Sequence, residues 1–120
     1  MNAPNWFPSF VALLVLTASP SLAAKEEGLS VRIRDGRVQE HVNGSLRRSY
    51  GSGLVDAATD GKTVVAVTRD GRIQEWVKGS MRRSYGSKVK SASIQGSKVF
   101  AQLQTGKTAE YENGSLRRTF

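Results

Sequence analysis

The sequence repeats itself every 35 residues, and that recurrence constrains the fold more than any other feature. RDGRVQEHVNGSLRRSYGS at 34–52 returns as RDGRIQEWVKGSMRRSYGS at 69–87, and in more diverged form as QTGKTAEYENGSLRRTF at 104–120. Gly36, Gly71 and Gly106 fall in line, as do the arginine pairs Arg47-Arg48, Arg82-Arg83 and Arg117-Arg118. A period of this length marks supersecondary units that bury their apolar faces only by stacking on one another. The chain therefore reads as one β-repeat domain, 24–120, with units at about 29–53, 54–88 and 89–120.

Within a unit, short runs rich in β-branched residues alternate with Gly-containing turn signals, the signature of antiparallel hairpins. The middle copy gives four strands, 54–59, 63–68, 72–77 and 80–85, joined at Asp60-Gly61, Asp70-Gly71 and Lys78-Gly79. Proline is absent from the repeats, so no strand is forced to an edge. No stretch carries a helical period. The first copy begins at a sequence matching the second strand of the others, which predicts a first unit without its innermost strand.

Two-residue turns set cross-strand partners by counting. Counted from Asn43-Gly44, His41 faces Leu46 and Glu40 faces Arg47, and the same count puts Glu75 opposite Arg82 and Glu110 opposite Arg117. Each such pair contributes only about 0.2–1 kcal/mol, but together they help fix register. Arg48, Arg83 and Arg118 then have no acid opposite them and share a face with Tyr50, Tyr85 and Phe120. In the middle unit, Val65, Val67, Trp76, Met81 and Tyr85 are expected on one face and Ala66, Ile73 and Val77 on the other. Sheets apolar on both sides stack against two neighbours.

These residues, from Leu29 to Phe120, resemble a β-propeller of the WD-repeat or NHL-like type, at about two and two-thirds blades. The resemblance implies an all-β, propeller-blade-like fold of antiparallel four-stranded repeats. The Gly-His and Trp-Asp dipeptides of WD repeats are missing, and so few blades cannot close a ring alone. Pairing of two chains into a six-bladed ring, or stacking of several, is the expected outcome. A β-trefoil or β-prism, each closing with three repeats in one chain, is the alternative.

Residues 1–23 read as a secretory signal peptide. The apolar run 10–16 is followed by small residues, with Ser21 and Ala23 placed for cleavage after Ala23. This implies a secreted or periplasmic protein with no membrane span after cleavage. There is no cysteine, so stability must come from sheet packing, association or both. The net charge of +8 lies wholly beyond Ala24 and favours polyanions such as acidic polysaccharide.

Catalysis finds no support in the sequence. The single histidine, His41, fills the slot of Trp76 and Tyr111, which makes it a packing residue before a general base. No cofactor and no metal is expected, because the carboxylates lie in turns or opposite arginines. Arg beside an aromatic ring, once per unit, suits bidentate and stacking recognition of an anionic polymer or glycan. Arg48, Arg83, Arg118, Tyr50, Tyr85 and Trp76 are therefore the candidate ligand-binding residues. The plainer reading is that the arginine stems cover the neighbouring unit. The function expected is that of a non-catalytic binding module, with a structural, oligomer-forming role or a truncated propeller fragment as the alternative.

Overall fold

The computed structural model describes residues 28–120. The expected signal peptide, 1–23, lies outside the described residues, as does any strand preceding Gly28. The described chain is all-β and forms three antiparallel sheets in chain order. The first contains β1 (Leu29–Arg34), β2 (Arg37–Val42) and β3 (Ser45–Tyr50). The second contains β4 (Leu54–Thr59), β5 (Thr63–Thr68), β6 (Ile73–Val77) and β7 (Ser80–Tyr85). The third contains β8 (Val89–Gln95), β9 (Lys98–Leu103), β10 (Thr108–Glu112) and β11 (Ser115–Thr119). These bounds agree with the repeat-based strands to within a residue or two.

Packing runs from the first sheet to the second and from the second to the third, the blade-on-blade order. One apolar cluster joins Val38, Tyr50 and Leu54 to Val64 and Ala66. The other joins Val65, Val67, Ile73 and Tyr85 to Val89, Val99, Ala101 and Tyr111. Alternate residues of β5 thus feed opposite clusters, and all four from Val64 to Val67 are buried. Backbone bonds repeat across the two boundaries. Leu54 N–H donates to Gly36 O and Val89 N–H to Gly71 O, both at 3.0 Å. Arg69 N–H donates to Gly53 O (2.8 Å) and Gln104 N–H to Lys88 O (2.9 Å).

Two details depart from the counted register. After the turn at Asn43-Gly44, His41 does face Leu46, but the next pair is Glu40 with Arg48. Arg47 is an extra residue, a β-bulge, and Arg82 and Arg117 are bulged in the same way. A bulge moves everything beyond it to the other face. Tyr85 therefore pairs with Ile73 and joins the face of Glu75, while Trp76 pairs with Val64 and Met81 on the opposite face. The expected faces are corrected accordingly: Tyr85 stays with Val65 and Val67, Ile73 and Val77 join them, and Trp76 and Met81 lie on the other face with Ala66.

The second departure is in the first sheet. Asp35-Gly36 is a true two-residue turn, with φ of 53° and 76° and Arg34 directly opposite Arg37. The corresponding turn of the second sheet is longer: Val67 is the last residue paired, opposite Ile73. There Thr68 and Asp70 bond side chain to side chain, and Thr68 Oγ1 accepts from Arg72 N–H at 2.9 Å. The shorter turn slips β1 by one residue, so Val31 pairs with Glu40 where Val65 pairs with Glu75. Val31 and Ile33 consequently pack toward the second sheet.

Two turn positions provide a test of these backbone demands. Lys78 holds φ 52° where the other copies have Asn43 and Asn113, a region costly to long side chains and tolerated by Asn. Lys78→Asn is expected to stabilise the fold by about 0.5–1 kcal/mol in urea unfolding. Gly71 has φ +89°, and a β-carbon there would lie 3.0 Å from Lys88 N, in backbone that cannot yield. Gly71→Ala is expected to cost about 1–3 kcal/mol, and an unchanged midpoint would contradict this boundary.

Candidate functional site

Each bulge directs an arginine onto a buried glutamate. Glu40, Glu75 and Glu110 are 1%, 8% and 5% exposed, and a buried carboxylate is tolerable only when paired. Arg48 Nη1 donates to Glu40 Oε1 at 2.8 Å, Arg83 Nη1 lies 3.4 Å from Glu75 Oε1, and Arg118 Nε donates to Glu110 Oε1 at 2.7 Å. The expectation that these arginines face no acid is therefore overturned, the doubled arginine being the reason. The first of each pair is the bulge and the second is the partner.

The other oxygen of each glutamate is met differently along the chain. The hydroxyls of Tyr50 and Tyr85 donate to Oε2 of Glu40 and Glu75. The third copy has Phe120 at that place, and Lys98 Nζ approaches Glu110 Oε2 at 3.7 Å instead. The hydrogen bond from Arg118, with the charges of Arg118 and Lys98, holds Glu110 below the usual carboxylate range. Burial, reinforced by the adjacent glutamate, pushes the Tyr50 and Tyr85 hydroxyls far above the ordinary tyrosine range.

The candidate ligand-binding residues thus fall into the boundaries between sheets. Tyr50 packs on Trp76 with ring centroids 4.7 Å apart, and Tyr85 on Tyr111 at 4.8 Å. The stem of Arg48 covers Gly79, where a β-carbon would come within 3.1 Å of Arg48 Cδ, and the stem of Arg83 covers Gly114 likewise at 2.9 Å. Arg118 instead lies over Phe120, its Cζ 5.0 Å from the ring centroid, and Phe120 is 61% exposed against 7% for Tyr50 and 9% for Tyr85.

A cleft of about 400 Å³ opens between the second and third sheets, lined by residues including Asp60, Lys62, Glu75, Arg82, Arg83 and Asn113. Its carboxylates are occupied. Asp60 Oδ1 accepts from the Lys62 and Thr63 N–H groups, both at 2.9 Å, and Glu75 is held by Arg83 and Tyr85. That leaves no evident general acid–base pair there. Among the described residues no group of three or more His, Cys, Asp or Glu could hold a metal ion. None of their helices is long and apolar enough to cross a membrane.

Charge gathers elsewhere. The turns β1–β2, β5–β6 and β9–β10 and the sheet-to-sheet links share one end of the stack, because strands alternate in direction. Arg34, Arg37, Arg69, Arg72, Lys88 and Lys107 are exposed in or beside them, against Asp35 and Asp70. Sequence reasoning missed this surface by looking for cations beside aromatics. The available signal was the recurrence of Arg or Lys one place after Gly36, Gly71 and Gly106.

A family model described as "Helicobacter pylori IceA2 protein" matches residues 28–72 and 69–120, together the whole described region. The chain belongs to the Helicobacter pylori IceA2 protein family. The two family matches fall in tandem, as the repeat does. No curated protein matches the chain. Among solved structures, the crystal structure of BamB from Moraxella catarrhalis is similar at TM-score 0.67 and 18% identity. The similarity covers 81% of this chain and 33% of that one, so the chain spans about a third of that structure's length. At this identity the likeness is one of fold alone, and it agrees with a propeller-like arrangement of the three sheets.

The raised tyrosines give a pH dependence with a definite sign. A hydroxyl harder to ionise in the folded state than in the unfolded chain stabilises fully below the unfolded value, about 10. That contribution is lost as pH rises beyond it. The melting temperature is expected to fall above about pH 10, and less steeply in Tyr50→Phe/Tyr85→Phe. Tyrosinate absorbance at 295 nm should lag for two tyrosines until unfolding. Ordinary titration of every tyrosine in a still-folded chain would refute the assignment.

Proposed function

We propose that this chain is a non-catalytic binding module acting outside the cytoplasm, and that its ligand is an anionic polymer of the acidic-polysaccharide class. One observation carries the reading: six exposed Lys and Arg side chains gather at one end of the stack against two carboxylates. Such a surplus draws a polyanion through many weak, screened contacts. Repetition at each unit makes the contacts multivalent. The apolar run 10–16 and the small residues after it support export. Arg48 and Arg83 are already paired with glutamates, so the turn cations are better placed to meet a ligand.

An assembly role is the second reading, favoured by Phe120 and the half-buried Phe100 on the outer face of the third sheet. Sedimentation of Phe120→Ser against the parent chain separates the two, because polyanion binding through the turns is indifferent to that uncharged change.

The direct test is retention on immobilised heparin. The chain is expected to bind in low salt and to elute steeply as salt rises, while passing through neutral dextran. Passage through heparin at low salt, or retention unaltered by high salt, would remove the polyanion reading.

A further inference from the structure

The register slip of β1 changes what the first sheet shows on the side away from the second. Val64 and Ala66 in the second sheet, and Val99 and Ala101 in the third, are buried against the preceding sheet. In the first sheet the residues structurally equivalent to Val64 and Ala66 are Ser30 and Arg32, because Val31 rather than Ser30 lies opposite Glu40. The cross-strand pairs on this outer face are Ser30 with His41, Arg32 with Gln39 and Arg34 with Arg37. All three arginines are exposed, and none of these six residues is acidic.

Two arginines directly opposite one another destabilise a hairpin, yet Arg34 and Arg37 flank a two-residue turn in this one. Arg37 is held in place: Nε donates to Ser49 Oγ at 3.2 Å, Nη2 to Ser49 O at 3.0 Å and Nη1 to Gly51 O at 3.2 Å. Arg32 makes a single bond, Nε to Gln39 Oε1 at 3.3 Å. Arg34 has no hydrogen-bond or ion-pair partner among the described residues. Of the five N–H donors on each guanidinium, most on Arg32 and Arg34 are therefore available. Successive same-face residues on a strand stand about 6.6 Å apart, so the row forms a flat cationic strip along β1.

We propose that the outer face of the first sheet is an anion-binding site, with Arg32 and Arg34 as ligand-contacting residues and Arg37 as the braced member of the row. It takes an extended sulfated or carboxylated polysaccharide laid along β1. This rests on the polyanion reading above and locates it on one sheet. A flat strip with amide and hydroxyl neighbours in Gln39 and Ser30 suits a polymer whose anionic groups alternate with hydroxyls. Arginine forks bind sulfate and carboxylate oxygens bidentately.

The test measures heparin-oligosaccharide affinity by calorimetry over a series of salt concentrations. It compares the parent chain with Arg32→Gln/Arg34→Gln and with Lys62→Gln/Lys78→Gln, which removes the same charge from exposed turns at the opposite end of the sheets, outside both the strip and the basic end. The first pair is expected to lower affinity at least tenfold and to reduce the slope of log K against log salt by about two. The second pair is expected to change affinity less than threefold, with circular dichroism and melting unchanged in both. Equal losses in the two variants, or a larger loss in the second, would overturn this site and leave the general polyanion reading standing. Absence of heparin binding by the parent chain would overturn both, and so would preference for anionic phospholipid vesicles over heparin.

Discussion

The middle sheet has no face of its own for water. Val64 and Ala66 look one way, Val65 and Val67 the other, and the rest of the architecture serves to cover both sides. Neighbouring units supply the cover with Tyr50 on one flank and Val89, Val99 and Ala101 on the other. With no cysteine to cross-link it, the chain relies on this two-sided burial, at about 25 cal/mol per Å² of apolar surface removed from water. The outermost faces obey a different rule. Ser30 and Arg32 stand in the first sheet where the second has Val64 and Ala66, and Gln102 and Thr108 stand in the third where the second has Val67 and Ile73. The outer face of the third sheet nonetheless keeps the half-buried Phe100 and the exposed Phe120.

Charge follows the same division between inside and outside. Glu40 and Glu75 sit between sheets, each held by an arginine and a tyrosine hydroxyl, and Glu110, on the outer face of the third sheet, is held by Arg118 and Lys98. The remaining cations have few acids to meet and collect on the turns and on the outer strip of β1. Internal charges brace the sheets, and the external ones face solvent.

Most of the fold could be read directly. The 35-residue period and the Gly-containing turns located the strands to within a residue or two, because two-residue hairpins leave little freedom in where a strand begins. What escaped was finer. A bulge adds one residue without any distinctive side chain, so the doubled arginine looked like two equivalent cations when only Arg48, Arg83 and Arg118 reach the glutamates. The slip in β1 was hidden for a related reason: Asp35-Gly36 and Asp70-Gly71 are the same dipeptide, but Thr68 bonds Asp70 and lengthens the second turn, whereas Ile33 at the corresponding place has no hydroxyl to do so. The candidate binding residues were drawn from the aromatic neighbourhood, and the structure encloses most of that neighbourhood between sheets. Identical local words acquired different geometry from one side chain.

The one sheet flanked on both sides also determines the order in which the molecule opens. Each sheet touches chiefly its sequence neighbours, so local opening at either end breaks one boundary, while exposing β5 and β6 breaks two. Amide hydrogens of Val64 to Val67 should accordingly be the last to exchange with solvent. Those of β11, where Phe120 lacks the hydroxyl that tethers Tyr50 and Tyr85, should be among the first. The repeat thus writes a gradient of protection into three units of nearly equal sequence, set by position in the row and not by composition.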